Sequence, residues 1–198
     1  MTNSDLKGHK KVLRTLFKEK RSALSIDQKA QFSDRIAESL LASPMVSSAN
    51  VICSYASFGD EVATHALNDA LLAMNKIVLL PRIVGQHSME MIRISNDTEY
   101  DVNPFGMKEP IGNPYILHND ASFLCILPLL AFDAQGHRLG YGGGFYDAFL
   151  LGYPHVSTIG LAFSCQYSDH TLPTEQHDCS LDWIIDECGL HHSIKKPA

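Results

Sequence analysis

The sequence has no apolar run approaching the ~20 residues that a membrane-spanning helix requires. Its first residues are polar and basic and carry no apolar h-region, so neither a secretory signal nor a membrane partner is expected. Cysteine is scarce: five residues, at 53, 125, 165, 179 and 188, an odd number with no CxxC pair. That argues against a disulfide framework and a structural zinc site. Cys53 and Cys125 lie in apolar runs and read as small buried hydrophobes. Charge is also sparse, 19% against 45% apolar residues, which excludes a disordered chain and a coiled coil. There is no internal repeat and no linker rich enough to divide the chain. The expectation is one compact domain over residues 1–198, cytoplasmic, acting as an enzyme or a binding module. A chain of this length buries roughly two thirds of its unfolded surface and needs no staples.

The charge is unevenly placed. Residues 1–21 carry seven bases (Lys7, Lys10, Lys11, Arg14, Lys18, Lys20, Arg21) and two acids, a net +5; the other 177 residues are net −11. A basic helix on an acidic body suits an anionic ligand or is simply a solvated face. Nucleic acid is not expected, because the basic residues form a single helix with little aromatic interleaving.

Helical periodicity runs over residues 5–22, with Leu6, Val12 or Leu13, Leu16 and Phe17 on one stripe. Lys10 and Arg14, four apart, project from one face. Ser25-Ile26-Asp27-Gln28 has the form of a capping box and predicts a second helix to about Ala42. Residues 51–55 read as a strand, Thr64 as the cap of a helix to about Met74, and 76–80 as a buried strand stopped by Pro81. Residues 89–94 alternate as a half-exposed strand. Residues 95–120, rich in Asn, Asp, Pro and Gly, read as loop with a turn at 105–110. Phe123 to Phe132 reads as the central strand, 147–151 as a short helix, 157–163 as a strand and 183–185 as a last short one. His191-His192 reads as part of a frayed end. Alternating strands and helices predict an α/β fold, a mainly parallel sheet flanked by helices.

The strongest local signal is Arg138-Leu139-Gly140-Tyr141-Gly142-Gly143-Gly144-Phe145-Tyr146-Asp147. Four glycines in five positions leave backbone N–H groups unscreened, and a helix follows. Such groups cradle phosphate. The run is neither a Walker A loop nor the dinucleotide fingerprint, whose third glycine would fall on Phe145. A mobile surface loop is the alternative. Arg138 suits phosphate charge. Asp147 suits a magnesium ion between carboxylate and phosphate, or equally the N-terminal end of a helix dipole. His177-Asp178 is a polar loop pair that reads as solvated, and Glu61 reads as a loop charge. Tyr55, Phe58 and Phe105 suit an aromatic wall or core packing. No nucleophile elbow is present.

Together these residues resemble the 5-formyltetrahydrofolate cyclo-ligase family, from Lys10 to about Asp178. The resemblance rests on Lys10-x-x-Leu13-Arg14 with Arg21, on Glu61-x-x-Thr64, Leu80-Pro81-Arg82 and Gly106-x-x-Glu109-Pro110. Above all it rests on Ala131-Phe132-Asp133-x-x-Gly136-x-Arg138-Leu139-Gly140-x-Gly142-x-Gly144-Phe145-Tyr146-Asp147. Ala148, where many relatives have Arg, and Phe145, where Tyr is common, depart from the pattern. The resemblance implies a fold similar to the sugar-phosphate isomerase and CoA-transferase-like group. It implies ATP- and Mg2+-dependent closure of 5-formyltetrahydrofolate to 5,10-methenyltetrahydrofolate through an N5-iminium phosphate, releasing ADP and phosphate, by a monomer. It assigns catalysis to Arg138, Lys10 and Arg14. ATP binding falls to Lys10, Lys11, Val12, Leu13 and Arg14 with Arg138, Leu139, Gly140, Tyr141, Gly142, Gly143, Gly144, Phe145 and Tyr146. Folate binding falls to Arg14, Tyr55, Ala56, Glu61, Phe105 and the stretch Tyr141 to Phe145. Magnesium falls to Asp147 and Asp178. A non-catalytic folate or nucleotide binder, or a sugar-phosphate isomerase or acyl-CoA transferase, are the competing readings.

Overall fold

The computed structural model describes residues 3–118 and 123–193. The expectations for Met1, Thr2 and residues 119–122 lie outside it. Helix α1 (Asn3–Ser22) is followed by α2 (Ile26–Leu41), which starts on the expected capping box: Ser25 accepts from the Gln28 N–H, and Gln28 reaches back to the Ser25 N–H. A short α3 (Pro44–Ser48) leads into β1 (Val51–Cys53), α4 (His65–Ala73), β2 (Ile77–Gly85) and β3 (Ser88–Arg93). Next come β4 (Tyr100–Val102), β5 (Lys108–Pro110), β6 (Phe123–Pro128), β7 (Ala131–Phe132), β8 (Arg138–Leu139) and α5 (Phe145–Leu151). The chain ends with β9 (Ser157–Leu161), β10 (Trp183–Asp186) and β11 (Gly189–His192). Among the described residues, no helix is long and apolar enough to cross a membrane.

Seven strands form one sheet in the order β11-β10-β9-β6-β1-β2-β3. The five inner strands are parallel, and β11 and β3 close the edges antiparallel. The predicted α/β class and mainly parallel sheet are observed. Side chains alternate between two cores with the period of a strand. One face carries Ile52, Val78, Leu80, Leu124, Ile126, Ile159 and Leu161 against Ile36 and Leu40 of α2 and Leu67 and Leu71 of α4. The other carries Cys53, Leu79, Phe123, Cys125 and Leu127 against Leu150 of α5. The two buried cysteines stand side by side, Cys53 opposite Cys125. Chain order reverses between β1 and β6, so the loops after these two strands share the crevice where ligands of open α/β sheets bind.

Several elements differ from the sequence reading. Strand β2 runs through Pro81 to Gly85, because β1 ends at Cys53, opposite Leu79, and leaves that stretch paired on one side only, where proline is tolerated. The 95–120 loop contains the β4–β5 hairpin, whose Glu109 carboxylate accepts the Ile83 N–H; residues 119–120 of that reading are outside the described part. The Phe123–Phe132 run breaks after Pro128. The Leu130 N–H turns away to Leu139 O, and the buried Gln166 amide satisfies the carbonyls of Leu129 and Leu130 at 2.7 and 3.1 Å. The 157–163 strand stops at Leu161, and the 147–151 helix begins at Phe145. The His191-His192 end is the edge strand β11, with His192 packed on Trp183.

The β7–β8 ribbon carries the chain into the glycine run, and its turn is fixed by Asp133. That carboxylate, 2% exposed, accepts the N–H groups of Gln135, His137 and Leu172 and pairs with the His137 ring at 2.8 Å. Gly136 sits in the turn at φ 79, where an added Cβ would stand 2.5 Å from Leu181 O and collide with Ser193. Gly136→Ala should destabilise the fold by about 1–3 kcal/mol, through overpacking and a disfavoured φ. Urea unfolding measures this; an unchanged midpoint would contradict the tight turn.

Candidate functional site

Helix α1 buries a mixed stripe. Lys10, Phe17 and Arg21 are 5%, 2% and 3% exposed, and Leu13 and Arg14 are half-buried. Their spacing of three and four residues puts all five on one face. Phe17 and Leu13 pack with Ala131, Leu139 and Leu172, joining α1 to the β7–β8 ribbon. Burying a side chain such as Phe17 contributes about 1.5–3 kcal/mol, which helps offset the cost of carrying two cations inward. Of the expected apolar stripe, Phe17 and the Leu13 alternative turn inward, while Val12 and Leu16 are 66% and 43% exposed. The reason is that the ribbon's apolar surface takes Leu13 and Phe17, while the 175–178 loop, Gly140 and Tyr141 give the cations on the same face their partners. Lys11 is likewise exposed, so of the Lys10–Arg14 segment only Lys10, Leu13 and Arg14 turn toward the body.

Each inward cation has a partner on another element. Lys10 Nζ donates to Asp178 Oδ2 at 2.6 Å and Glu175 Oε2 at 2.9 Å. Arg14 Nε donates to Gly140 O at 2.9 Å, and its Cζ lies 3.1 Å from where a Cβ on Gly142 would stand, a residue at φ 97. Glycine at 142 is therefore required twice, by φ and by the guanidinium. Arg21 Nη2 donates to the Tyr141 hydroxyl at 2.8 Å. Arg138 Nη2 donates to Asp147 Oδ1 at 2.7 Å. The Nε groups of Arg21 and Arg138 are buried and have no hydrogen-bond partner among the described residues. A buried guanidinium N–H without an acceptor is costly, and the chemistry that would relieve it is an anion.

The glycine run leaves β8 and enters α5 through Gly144 at φ 67. Phe145 folds back across Gly143, its Cε2 2.6 Å from where a Cβ on Gly143 would stand, so a larger residue there would displace the ring. Tyr146 turns the other way and packs on the core near Cys53 and Cys125. Burial first, and Cys125 next, push its hydroxyl well above the usual tyrosine range. Leu139 is core. The run itself, Gly140 to Gly144, thus presents mainly backbone, with Tyr141 half-exposed beside it.

Glu61, in the loop after β1, accepts the Phe58 N–H at 2.9 Å. Burial pushes its carboxyl above the ordinary value; the Phe58 N–H, the Tyr141 hydroxyl and the Arg21 charge hold it back. Burial and the Glu61 charge push Tyr141 up in turn. Phe105, 66% exposed, caps the β4–β5 hairpin, and Gly106 beside it approaches Phe58 to within 3.5 Å of its added-Cβ position. Tyr55 does not line this space. It is 2% exposed in the main core and its hydroxyl donates to Val62 O, because the β1 end it occupies is covered by α4. Ala56 packs partly against the same core.

Asp147 and Asp178 are joined through Cys179, whose N–H donates to Asp147 Oδ1 at 3.1 Å. Asp178 Oδ2 also accepts the Glu175 N–H. Each carboxylate uses one oxygen, so among the described residues Asp147 Oδ2 and Asp178 Oδ1 have no hydrogen-bond partner. No group of three or more metal-ligating side chains occurs among the described residues. An all-protein metal cage is therefore absent there. Two carboxylates with one free oxygen apiece instead suit a hard cation that takes its other ligands from phosphate and water.

Sequence reasoning singled out Lys10, Arg14, Glu61, Tyr141, Arg138, Asp147 and Asp178, and the structure brings them to one end of the sheet. It missed Glu175 as the second partner of Lys10, Asp133 as the turn's anchor, and His87, which meets Gly143 O from the β2–β3 turn. The Glu175-x-x-Asp178 spacing is the one signal that pointed to Glu175.

A model of the 5-formyltetrahydrofolate cyclo-ligase family matches residues 6–187. The chain is 35% identical over 178 residues to a 5-formyltetrahydrofolate cyclo-ligase of Haemophilus influenzae, covering 87% of this chain and 95% of that one. It is 29% identical to the enzyme of that name from Escherichia coli K12, covering 86% and 96%. Among solved structures it is similar to 5,10-methenyltetrahydrofolate synthetase of Aquifex aeolicus, with TM-score 0.80 and 27% identity over 96% of this chain and 95% of that one.

The raised Glu61 carboxyl makes a stability prediction. Its folded form holds a proton more tightly than the unfolded form, so its contribution is intact below the ordinary value of 4.5 and is lost as pH rises through the folded value. Glu61→Gln should therefore gain stability relative to the parent as pH rises from about 4.5 to 7. Urea midpoints across that range measure the difference; a constant difference would mean the carboxyl is not perturbed.

Proposed function

The chain belongs to the 5-formyltetrahydrofolate cyclo-ligase family, and from that premise we propose that it closes 5-formyltetrahydrofolate to 5,10-methenyltetrahydrofolate, using ATP and releasing ADP and phosphate. One observation carries the site assignment: Arg14 and Arg21 bond into the glycine run itself, Arg138 and Lys10 bond the carboxylates of Asp147 and Asp178 that Cys179 joins, and two of the four cations keep a buried N–H unpartnered among the described residues. An extended polyanion fits that arrangement, and ATP supplies one.

The formyl oxygen is a poor leaving group as it stands. In the proposed course it attacks the γ-phosphorus, forming an O–P bond as the bond to the bridging oxygen of ADP breaks. N10 then attacks the activated formyl carbon and gives up its proton to solvent, the C–O bond breaks, and phosphate leaves with the oxygen. Phosphoryl transfer asks the protein for position and charge stabilisation, not for a covalent nucleophile, which accords with the absence of one in the sequence. Arg138 and Lys10 face the charge that spreads over the transferring phosphoryl oxygens. Arg14 holds the start of the glycine run and lies between nucleotide and folate. The N–H groups of residues 140–144 bind phosphate oxygens, with Phe145 across the loop.

Asp147 and Asp178 would hold a magnesium ion, which when bound neutralises phosphate charge and orients the phosphates. Lys10 pairs with Asp178 and Glu175, and Arg138 with Asp147, so the cations that would face phosphate are joined directly to the carboxylates that would hold the metal. Glu61, with a carboxyl poised above the usual range and one oxygen on the Phe58 N–H, is the group to accept pterin N–H donors. The exposed Phe58 and the Phe105 hairpin tip flank the same opening.

Absorbance in the methenyl-folate band tests the activity, with protein, 5-formyltetrahydrofolate, ATP and magnesium mixed and each omitted in turn. Growth only in the complete mixture is expected; growth without ATP, or none at all, would overturn the reading. Arg138→Ala should lower turnover at saturating ATP by roughly a hundredfold, and an unchanged turnover number would remove Arg138 from the chemistry. Asp147→Asn should raise the magnesium concentration for half-maximal rate; a superimposable titration would take Asp147 out of the metal site.

A further inference from the structure

One side chain with no role so far reaches the glycine run from an element other than α1. His87 sits in the turn between β2 and β3, and its Nδ1 is in hydrogen-bonding contact with Gly143 O. A carbonyl oxygen only accepts, so Nδ1 carries the hydrogen and donates. The same Nδ1 lies 3.2 Å from where a Cβ on Gly144 would stand, and the imidazole centroid lies 6.4 Å from that of Phe145. The ring thus borders three consecutive residues at the entry to α5.

The backbone that delivers it is unusual. His87 has φ 56 and, with Asn75, is one of two non-glycine residues at positive φ among the described residues. L residues avoid that region, and His and Asn tolerate it better than most. The hairpin beneath is firmly based: Arg82 pairs with Glu90 at 2.9 Å, and Ile83 N–H is held by Glu109 at 3.0 Å. By contrast, the run 140–144 has few ties of its own. Arg14 holds its first carbonyl, Arg21 holds the Tyr141 hydroxyl, and His87 holds the carbonyl of Gly143.

We propose that His87 is a positioning residue, fixing the peptide after Gly143 so that the amides of the run face the nucleotide phosphates. The proposal rests on the reading of residues 140–144 as the phosphate cradle. Because the donor sits on the sheet's β3 edge while Arg14 and Arg21 sit on α1, the run is pinned from two independent elements. Its peptide planes are then set before ATP arrives, which is what removes ordering cost from binding.

Two measurements on three variants decide it: amide hydrogen exchange of residues 142–145 without ligand, and steady-state kinetics in ATP. His87→Gly keeps the backbone conformation and removes the donor. It should speed exchange at these amides about tenfold and raise KM for ATP about tenfold, with kcat changed less than about threefold. His87→Asn, whose amide nitrogen stands near the place of Nδ1 and which tolerates the same φ, should restore both. His87→Gln, whose amide reaches to the place of Nε2, should restore neither. Unchanged exchange and KM in His87→Gly would overturn the proposal. So would a loss shared equally by the Asn variant and tracking its melting temperature, since that is hairpin stability alone. If the parent protein makes no methenyl product, the functional reading fails, while the exchange comparison still decides whether His87 orders the run.

Discussion

A cation withdrawn from water must meet a hydrogen-bond acceptor, and this requirement organises the site. Helix α1 turns Lys10, Arg14 and Arg21 inward with Phe17, and each of the three selects a different piece of the fold as its partner. Lys10 recruits the 175–178 loop, Arg14 the start of the glycine run, and Arg21 the tyrosine that stands beside Glu61. Arg138 does the same from β8 through Asp147. Without these pairings the helix would have only Phe17 and Leu13 to hold it to the ribbon.

The sheet explains why those partners are near one another. Reversal of strand order between the parallel neighbours β1 and β6 opens a crevice at their carboxyl ends, and the loops carrying Glu61 and Gly140–Gly144 both follow these strands. Asp133 and Gly136 close a turn tight enough to aim β8 back across the crevice. The run can then be backbone alone, since side chains at 142 and 143 would strike Arg14 and Phe145.

What could be read from the sequence was what is local. The Ser25–Gln28 capping box lies within one turn, and the buried strands announce themselves by alternation or by unbroken apolar runs. The cation pair Lys10 and Arg14 is a four-residue spacing. Glycine density marked the run, and the family resemblance drew attention to Asp147 and Asp178. The β4–β5 hairpin was not legible: its strands are three residues long and polar, and what fixes them is Glu109 bonding Ile83, 26 positions away. Glu175 and His87 stand in Pro-Thr-Glu-Gln and Gly-Gln-His-Ser, stretches that read as ordinary turns. Their meaning comes from Lys10 and Gly143, 165 and 56 positions distant. Val12 and Leu16 misled in the opposite sense, because apolar periodicity does not register that cations can be the residues a helix buries.

The bond between Lys10 and Asp178 spans 168 positions. On the ribosome, where elongation proceeds at about 5–20 residues per second, α1 therefore waits roughly ten to thirty seconds with its inward lysine lacking the aspartate that will neutralise it. The Lys10–Asp178 pair is among the last contacts of the nascent chain that can form. A chain that stalls just before residue 175 would leave Lys10 as the one inward cation without its partners, since Gly140 and Tyr141 are already there for Arg14 and Arg21, and its sheet would still lack β10 and β11.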